Sequence, residues 1–328
     1  MSIVQEDLAV APGLTWGLRA VTEAAARAAW DCIGQGNKCQ GDRAAIDAMG
    51  DGLDRLGING LLVIGEGSQE ESPRLYSGER IGDPAQPPRY DIAVDPVEGT
   101  SYLAKGMTNA MAVIAMAPHG SLFDPGPAFY MEKFAGPPQV RGLIDPDSPV
   151  EEKLNVLSRT LGKKVGELTI YVLEKPRHRD LVERLHRAGA RVALYPAGDV
   201  AGAVMAAIPN SGIDALMGTG GTPEGMLSAC AIRAMGGEFL GRIDPQLASE
   251  KLAVLEQGMD IQRWWRCEEL VTSDQVHFCA TGITTGLLLE GVERCQDSEK
   301  THTMMVSGTT GERQFLTTYH RLRKAGAD

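Results

Sequence analysis

At 328 residues, 43% hydrophobic and 23% charged, the chain is long enough for roughly two domains of about 150 residues and too apolar for wholesale disorder. Its 32 Lys and Arg against 43 Asp and Glu leave a net charge of -11, which argues against nonspecific nucleic-acid binding. A small anionic substrate stays open, because a bound cation can reverse the local sign of an acidic site. The sequence contains no run of 18 apolar residues, and Glu6 and Asp7 stand where a signal peptide would need a basic segment. No membrane association and a reduced, cytoplasmic setting are therefore expected. Cys32, Cys39, Cys230, Cys267, Cys279 and Cys295 form no CxxC pair and read as free thiols, with Cys39 beside a proposed metal loop.

An irregular arm closes at Pro12-Gly13, and Leu18, Val21, Ala25, Ala28 and Cys32 recur at helical spacing, predicting a helix over 14–33. Ala45, Ile46, Met49, Leu53 and Leu56 predict a second helix that starts just after Asp42 and stops at Gly57. The period then changes. Residues 60–64 read as a buried strand running into Gly65-Glu66-Gly67, and 90–95 as a strand ending on Asp95. An apolar strand over 110–117 precedes a Pro- and Gly-rich stretch over 118–149.

A boundary near 158 divides a metal- and phosphate-binding α+β domain, 1–158, from an α/β substrate-binding domain, 159–328. In the second, strands over 168–173, 191–195 and 213–217 alternate with helices over 177–187, 200–208 and 223–235, which predicts a mainly parallel sheet. Residues 252–267 read as mostly helical and 276–280 as strand, and 303–306 with 314–319 as a hairpin around Gly308 to Gly311. Whether that hairpin returns to the first domain is left open by the pattern.

Five acids stand where a turn meets regular structure: Asp42, Glu66, Asp95, Glu98 and Glu224. In Asp95-Pro96-Val97-Glu98-Gly99-Thr100 the three-residue spacing can bring both carboxylates to one side of a turn, and Gly99 permits close approach of a ligand. Thr100 and Ser101 offer hydroxyl and backbone donors to a phosphate. Clustered carboxylates in a cleft share protons or hold cations. Oxygen ligands favour Mg²⁺ or Mn²⁺, and at least two such ions would suit phosphoryl hydrolysis.

The stretch from Gly218 to Gly225 lacks both GxGxxG and a P-loop Lys. It reads as a metal-and-phosphate wall rather than a dinucleotide cradle, since Glu224 would repel a bare phosphate. Lys175-Pro176-Arg177-His178 opens a helix and can clamp a second phosphate, or simply be a solvated helix start. The six histidines are isolated from one another, and none is assigned to catalysis. Trp264-Trp265 reads as packing or an interface.

Together, Gly65-Glu66-Gly67, residues 75–79, residues 91–100, residues 130–133, residues 175–178, residues 198–201, residues 220–225 and residues 280–284 resemble the class II fructose-1,6-bisphosphatases. These belong to the lithium-sensitive, metal-dependent phosphatases that include inositol monophosphatases. The resemblance implies a two-domain sugar-phosphatase fold with αβαβα layers, hydrolysis of one terminal phosphate ester of a sugar bisphosphate, and dimers or tetramers. It implies Asp42, Glu66, Asp95, Glu98, Glu224 and the Val97 carbonyl as metal ligands, and Thr100 as the residue that helps activate water. Gly99, Thr100 and Ser101 would be donors to the transferred phosphate, with Tyr130, Lys175, Arg177, Asp199 and Gly221 as further substrate contacts.

Where the family usually carries Asp-Gly-Asp, this chain has Ala197-Gly198-Asp199, and the acid-rich run after Gly67 reads Ser68-Gln69-Glu70-Glu71-Ser72-Pro73. The lost acceptor leaves room for a longer or differently configured sugar bisphosphate, such as that of a heptulose or an octose. Competing readings are a monophosphatase of the same superfamily and a sugar-phosphate binding module without turnover. A dehydrogenase is disfavoured by the missing nucleotide fingerprints.

Overall fold

The computed structural model describes residues 12–322, apart from the side chains of Pro12, Lys38 and Cys39. The arm expected before Pro12 lies outside them. Helices α1 (Pro12–Trp30) and α2 (Lys38–Arg55) come first, followed by strands β1 (Gly60–Ile64), β2 (Arg80–Ile81) and β3 (Tyr90–Glu98), the short helix α3 (Thr100–Lys105) and β4 (Met111–Pro118). Contrary to the expected start after Asp42, α2 begins at Lys38, because the Asn37 side chain accepts from the Gln40 amide and caps it.

After β4 the chain crosses to a second sheet through β5 (Tyr130–Gly136), α4 (Val150–Leu161), β6 (Thr169–Leu173), α5 (Arg179–Arg187) and β7 (Arg191–Tyr195). It continues through α6 (Asp199–Ala207), β8 (Ala215–Gly221), α7 (Thr222–Met235), β9 (Glu238–Ile243), α8 (Ala248–Glu256), β10 (Trp264–Arg266) and α9 (Cys267–Leu270). It then returns through β11 (His277–Gly282), β12 (Glu293–Arg294), β13 (Ser298–Ser307) and β14 (Glu312–Arg321).

The first sheet has eight strands in the order β12-β13-β11-β4-β3-β1-β2, with β14 beside β13, and the second has six in the order β10-β9-β5-β8-β6-β7. Crossing therefore occurs between residues 118 and 130 rather than near 158, and the C-terminal hairpin pairs with β11 in the first sheet. The second sheet is parallel only across β7-β6-β8. The expectation of a mainly parallel sheet fails because β5, β9 and β10 add antiparallel ladders. Strand β5 and helix α4 were hidden in and just beyond the Pro- and Gly-rich stretch, and 252–267 breaks into two short helices around β10.

Five layers result. Leu18, Val21 and Ala25 of α1, with Met49 and Leu53 of α2, pack on one face of the first sheet against Ile92, Val94 and Ile114. The opposite face, at Ala93, Val113 and Ala115, meets α6 and α7, which in turn cover Met131 and Leu216 of the second sheet. Every residue of α6 is buried, as its Val200-Ala201-Gly202-Ala203-Val204 run requires, since a helix apolar on all sides fits only between two partners. On the far side of the second sheet, Leu154 and Leu157 of α4 and Leu185 of α5 close a third core over Ile170 and Val172. This is the αβαβα arrangement.

Candidate active site

A cavity of about 860 Å³ opens where strand ends of the first sheet meet α6, α7 and β5. Glu66 reaches it from the turn after β1, where its amide donates to the Leu75 carbonyl at 2.7 Å and Gly65 donates to Ser77 Oγ at 3.1 Å. A Cβ at Gly65 would come within 2.2 Å of the Leu75 carbonyl, so glycine is needed for this close approach.

Asp95 and Glu98 arrive differently from the expected post-strand turn, because β3 continues through them. Asp95 pairs with Val113 and Glu98 with Met111, so three steps on β3 match two on β4. In a regular strand, residues three apart face opposite sides. The extra residue of this bulge returns Glu98 to the face of Asp95, while Val97 packs into the core beneath α1 and α2. Val97 donates its amide to Asp95 Oδ1 (3.1 Å), and its carbonyl accepts from Thr100 Oγ1 (3.2 Å). Gly99, at φ 89°, turns the chain into α3.

Glu224 comes from the first turn of α7, which follows β8 directly, with no intervening loop. A Cβ on Gly221 would lie 1.8 Å from the Glu224 carboxylate, so the glycine makes space for that side chain. Oxygen atoms of Asp95, Glu98 and Glu224 lie within 4.8 Å of one another. Burial first, then the neighbouring carboxylates, pushes Asp95 and Glu98 well above the usual range, and burial followed by the charge of Asp199 raises Glu224. Glu66 is pushed up to about 7 by burial and then by the charges of Asp42 and Glu224. Convergent hard oxygen donors of this kind, destabilised by mutual repulsion, fit a divalent cation of the Mg²⁺ or Mn²⁺ class.

Lys175 and Arg177, at the single 3₁₀ turn after β6, line the same cavity. The Arg177 guanidinium donates twice to the Thr219 carbonyl (3.0 and 2.8 Å) and lies 5.1 Å from the centre of the Tyr130 ring. Gly99, Thr100, Ser101, Tyr130, Asp199 and Gly221 also border the cavity. Asp42 is the exception among the proposed side chains. It sits in the second turn of α2, off the cavity lining, and reaches the site through its charge on Glu66.

Several supports were not singled out as functional in the sequence. Lys133, 2% exposed, places Nζ 2.5 Å from Asp199 Oδ2, and its positive charge opposes the upward shifts of Glu98 and Glu224. The Val200 amide donates to Glu98 Oε1 (3.2 Å). Tyr102 Oη, from α3, donates to the Ala197 carbonyl (2.7 Å) and Tyr171 Oη, from β6, to the Gly198 carbonyl (2.8 Å), fixing the turn into α6 from two elements. His178, buried, bonds the Leu173 carbonyl through Nδ1 (2.7 Å), and its Nε2 accepts from the Thr219 amide (2.8 Å). It holds the Arg177 turn against β8 rather than facing a substrate. Lys133 belongs to the 130–133 segment that carries the family resemblance, but no role is assigned to it there.

Among the described residues, Cys32, Cys230, Cys267 and Cys279 are free and buried and Cys295 is free and exposed. The Cys39 side chain lies outside the described residues. Trp265 packs on Phe123, with ring centres 5.3 Å apart. No described helix is long and apolar enough to cross a membrane.

Residues 12–320 match the family described as bacterial fructose-1,6-bisphosphatase, glpX-encoded. Curated relatives include the D-fructose 1,6-bisphosphatase class 2/sedoheptulose 1,7-bisphosphatase of Synechococcus sp. (strain JA-3-3Ab). It is 38% identical, over 92% of this chain and 93% of its own. The protein of that name from Synechocystis sp. (strain ATCC 27184 / PCC 6803 / Kazusa) is 36% identical, over 92% and 94%. Among solved structures, the extragenic suppressor protein suhB from Bartonella henselae matches at 14% identity. That match covers 58% of this chain and 73% of that one, with a TM-score of 0.36.

Proposed function

The chain belongs to the glpX-encoded bacterial fructose-1,6-bisphosphatase family and is a sugar bisphosphate phosphatase, and from this premise we propose how its residues divide the work. The substrate is fructose 1,6-bisphosphate or sedoheptulose 1,7-bisphosphate, and one terminal phosphate ester is hydrolysed to inorganic phosphate and the sugar monophosphate. The observation that carries this reading is the meeting of Asp95, Glu98 and Glu224 in one cavity that Lys175 and Arg177 also line. A site built for a monophosphate would have no use for the second, cationic wall.

Asp95, Glu98 and Glu224, with Glu66, the Val97 carbonyl and Asp42 behind them, would hold Mg²⁺ or Mn²⁺, with at least two ions in the site. Bound there, such ions neutralise the carboxylates and polarise the phosphoryl oxygens. Thr100 Oγ1, already donating to the Val97 carbonyl, keeps lone pairs free to accept a hydrogen bond from the attacking water and orient it. The backbone amides of Gly99, Thr100 and Ser101 receive the transferred phosphate, and Gly221 keeps the opposite wall low.

Tyr130, Lys175 and Arg177 bind the phosphate that stays on the sugar. Asp199, neutralised on one side by Lys133, offers its second oxygen to a sugar hydroxyl. Ala197, whose amide and carbonyl are both engaged by Tyr102 Oη, presents only a methyl group on the cavity side. That supports a second reading, a longer heptose or octose bisphosphate. Dimer or tetramer assembly, lithium sensitivity and a cytoplasmic setting accompany the family reading.

A phosphate-release assay with Mg²⁺ tests the assignment across fructose, sedoheptulose and longer sugar bisphosphates and their monophosphates. Turnover that favours a bisphosphate by tenfold or more supports it. Equal turnover of monophosphates removes the role given to Lys175 and Arg177, and binding without release leaves a binding module.

A further inference from the structure

Glu250 lies in the first turn of α8 and is 2% exposed. Its carboxylate is committed to backbone amides. Oε1 accepts from Phe129 (2.7 Å) and Tyr130 (2.8 Å), and Oε2 from Gln246 (3.0 Å) and Leu247 (3.4 Å). A residue capping its own helix needs only the Gln246–Leu247 side of this set. The other pair belongs to the entry of β5, more than 100 residues earlier in the chain.

Both stretches border the catalytic cavity, through Phe129, Tyr130 and Leu247. Phe129 and Leu247 are 61% and 55% exposed, so packing does not hold these two side chains in place, and their position follows from the backbone that Glu250 ties. The same stretches meet again where the Asp244 amide donates to the Tyr130 carbonyl (3.0 Å). The Asp244 carboxylate accepts from Thr219 Oγ1 (2.6 Å), and the Thr219 carbonyl carries Arg177. The link from this region toward the acids, the Thr222 amide to the Phe129 carbonyl (2.9 Å), continues the β5–β8 ladder and does not pass through Glu250.

We infer that Glu250 is a positioning residue for the end of the substrate that is not hydrolysed: by tying the entry of β5 to the start of α8 it sets the cavity mouth between Phe129 and Leu247 and the placement of the Tyr130–Arg177 pair. This rests on the bisphosphatase reading of the site. Phe129 and Leu247 form an apolar lip on a polar cavity, suited to the C–H face of a sugar chain, and the tie governs how well and how long a chain is admitted. Bond breaking is left to residues on other elements.

The experiment compares wild type, Glu250→Gln and Leu247→Ala in phosphate release at saturating Mg²⁺, with fructose 1,6-bisphosphate and with p-nitrophenyl phosphate, which lacks the distal group. A glutamine turns amide hydrogens toward one pair of backbone donors and leaves them unsatisfied. Glu250→Gln is expected to raise KM for the bisphosphate about tenfold, to leave kcat within about twofold, and to leave p-nitrophenyl phosphate kinetics unchanged. Leu247→Ala, a change on an exposed side chain, is expected to raise the same KM about threefold, as for loss of a few buried methyl contacts.

An unchanged bisphosphate KM in Glu250→Gln overturns the inference. A parallel loss of kcat on both substrates does so too, since that marks general damage. If Glu250→Gln does not fold, an unchanged KM in Leu247→Ala overturns it. Failure of the wild type to release phosphate from the bisphosphate would instead strike the parent reading, before any variant is compared.

Discussion

The acidic and cationic walls of the cavity are built on different principles. Glu98 and Glu224 are placed by regular elements, a bulged strand and a helix start, and burial lifts both out of the usual carboxylate range. Lys175 and Arg177 stand on a one-turn 3₁₀ segment, and Arg177 is exposed and fixed by one carbonyl and one aromatic ring. The first wall holds carboxylate repulsion that Lys133 relieves only in part. The second is proposed to supply affinity.

Substitutions test that division. Asp95→Ala or Glu98→Ala should lower kcat by roughly 10³ or more, the scale of losing preorganised charge stabilisation. Turnover like wild type at saturating Mg²⁺ would break the distinction outright. Thr100→Ala should lower kcat by roughly 10² with the fold intact, and a change confined to KM would move Thr100 to the binding wall. Arg177→Ala should raise KM for a bisphosphate by about tenfold, with kcat nearly unchanged and monophosphate turnover unaffected. A loss of kcat instead would show that the cationic wall takes part in the chemical step.

The smallest expected effect is on stability. Glu66 has a folded-state pKa of about 7 against 4.5 ordinarily. Between those values the folded protein binds more protons than the unfolded chain, so the Glu66 contribution to the stability of the metal-free protein falls as pH rises from about 4.5 to about 7, and the raised carboxyls of Asp95, Glu98 and Glu224 act in the same direction. Thermal unfolding in EDTA should show Tm declining across that window, and Mg²⁺ at pH 7.5 should raise it again. A metal-free Tm that climbs over the same window would contradict the stored repulsion.

Much of this could be read from the residues alone. Turn punctuation around Gly65-Glu66-Gly67 marked a strand end and small apolar residues marked α6 and α7, whereas Asp95-Pro96 read as a strand end although β3 continues to Glu98. Strand β5 escaped because Glu132 and Lys133 interrupt its apolar pattern. Glu132 turns outward to Arg242, while Lys133 turns inward to Asp199, and one sequence cannot distinguish the two. Asp42 pointed to the right region but the wrong place on its helix, because the Asn37 cap lies five residues earlier. Glu250 looked like ordinary surface charge, since a helix-start glutamate gives no sign of partners 120 residues away.

The bulge in β3 makes the site depend on residue count as well as residue type. Straightening β3 with every residue kept would turn Glu98 to the opposite side of the sheet from Asp95, whereas deleting Val97 would leave the two acids as alternate residues on one face but remove the carbonyl that accepts from Thr100 Oγ1. A single lost codon between Pro96 and Glu98 would therefore cost the centre a backbone acceptor and the packing of Val97 beneath α1 and α2, with both acids still encoded.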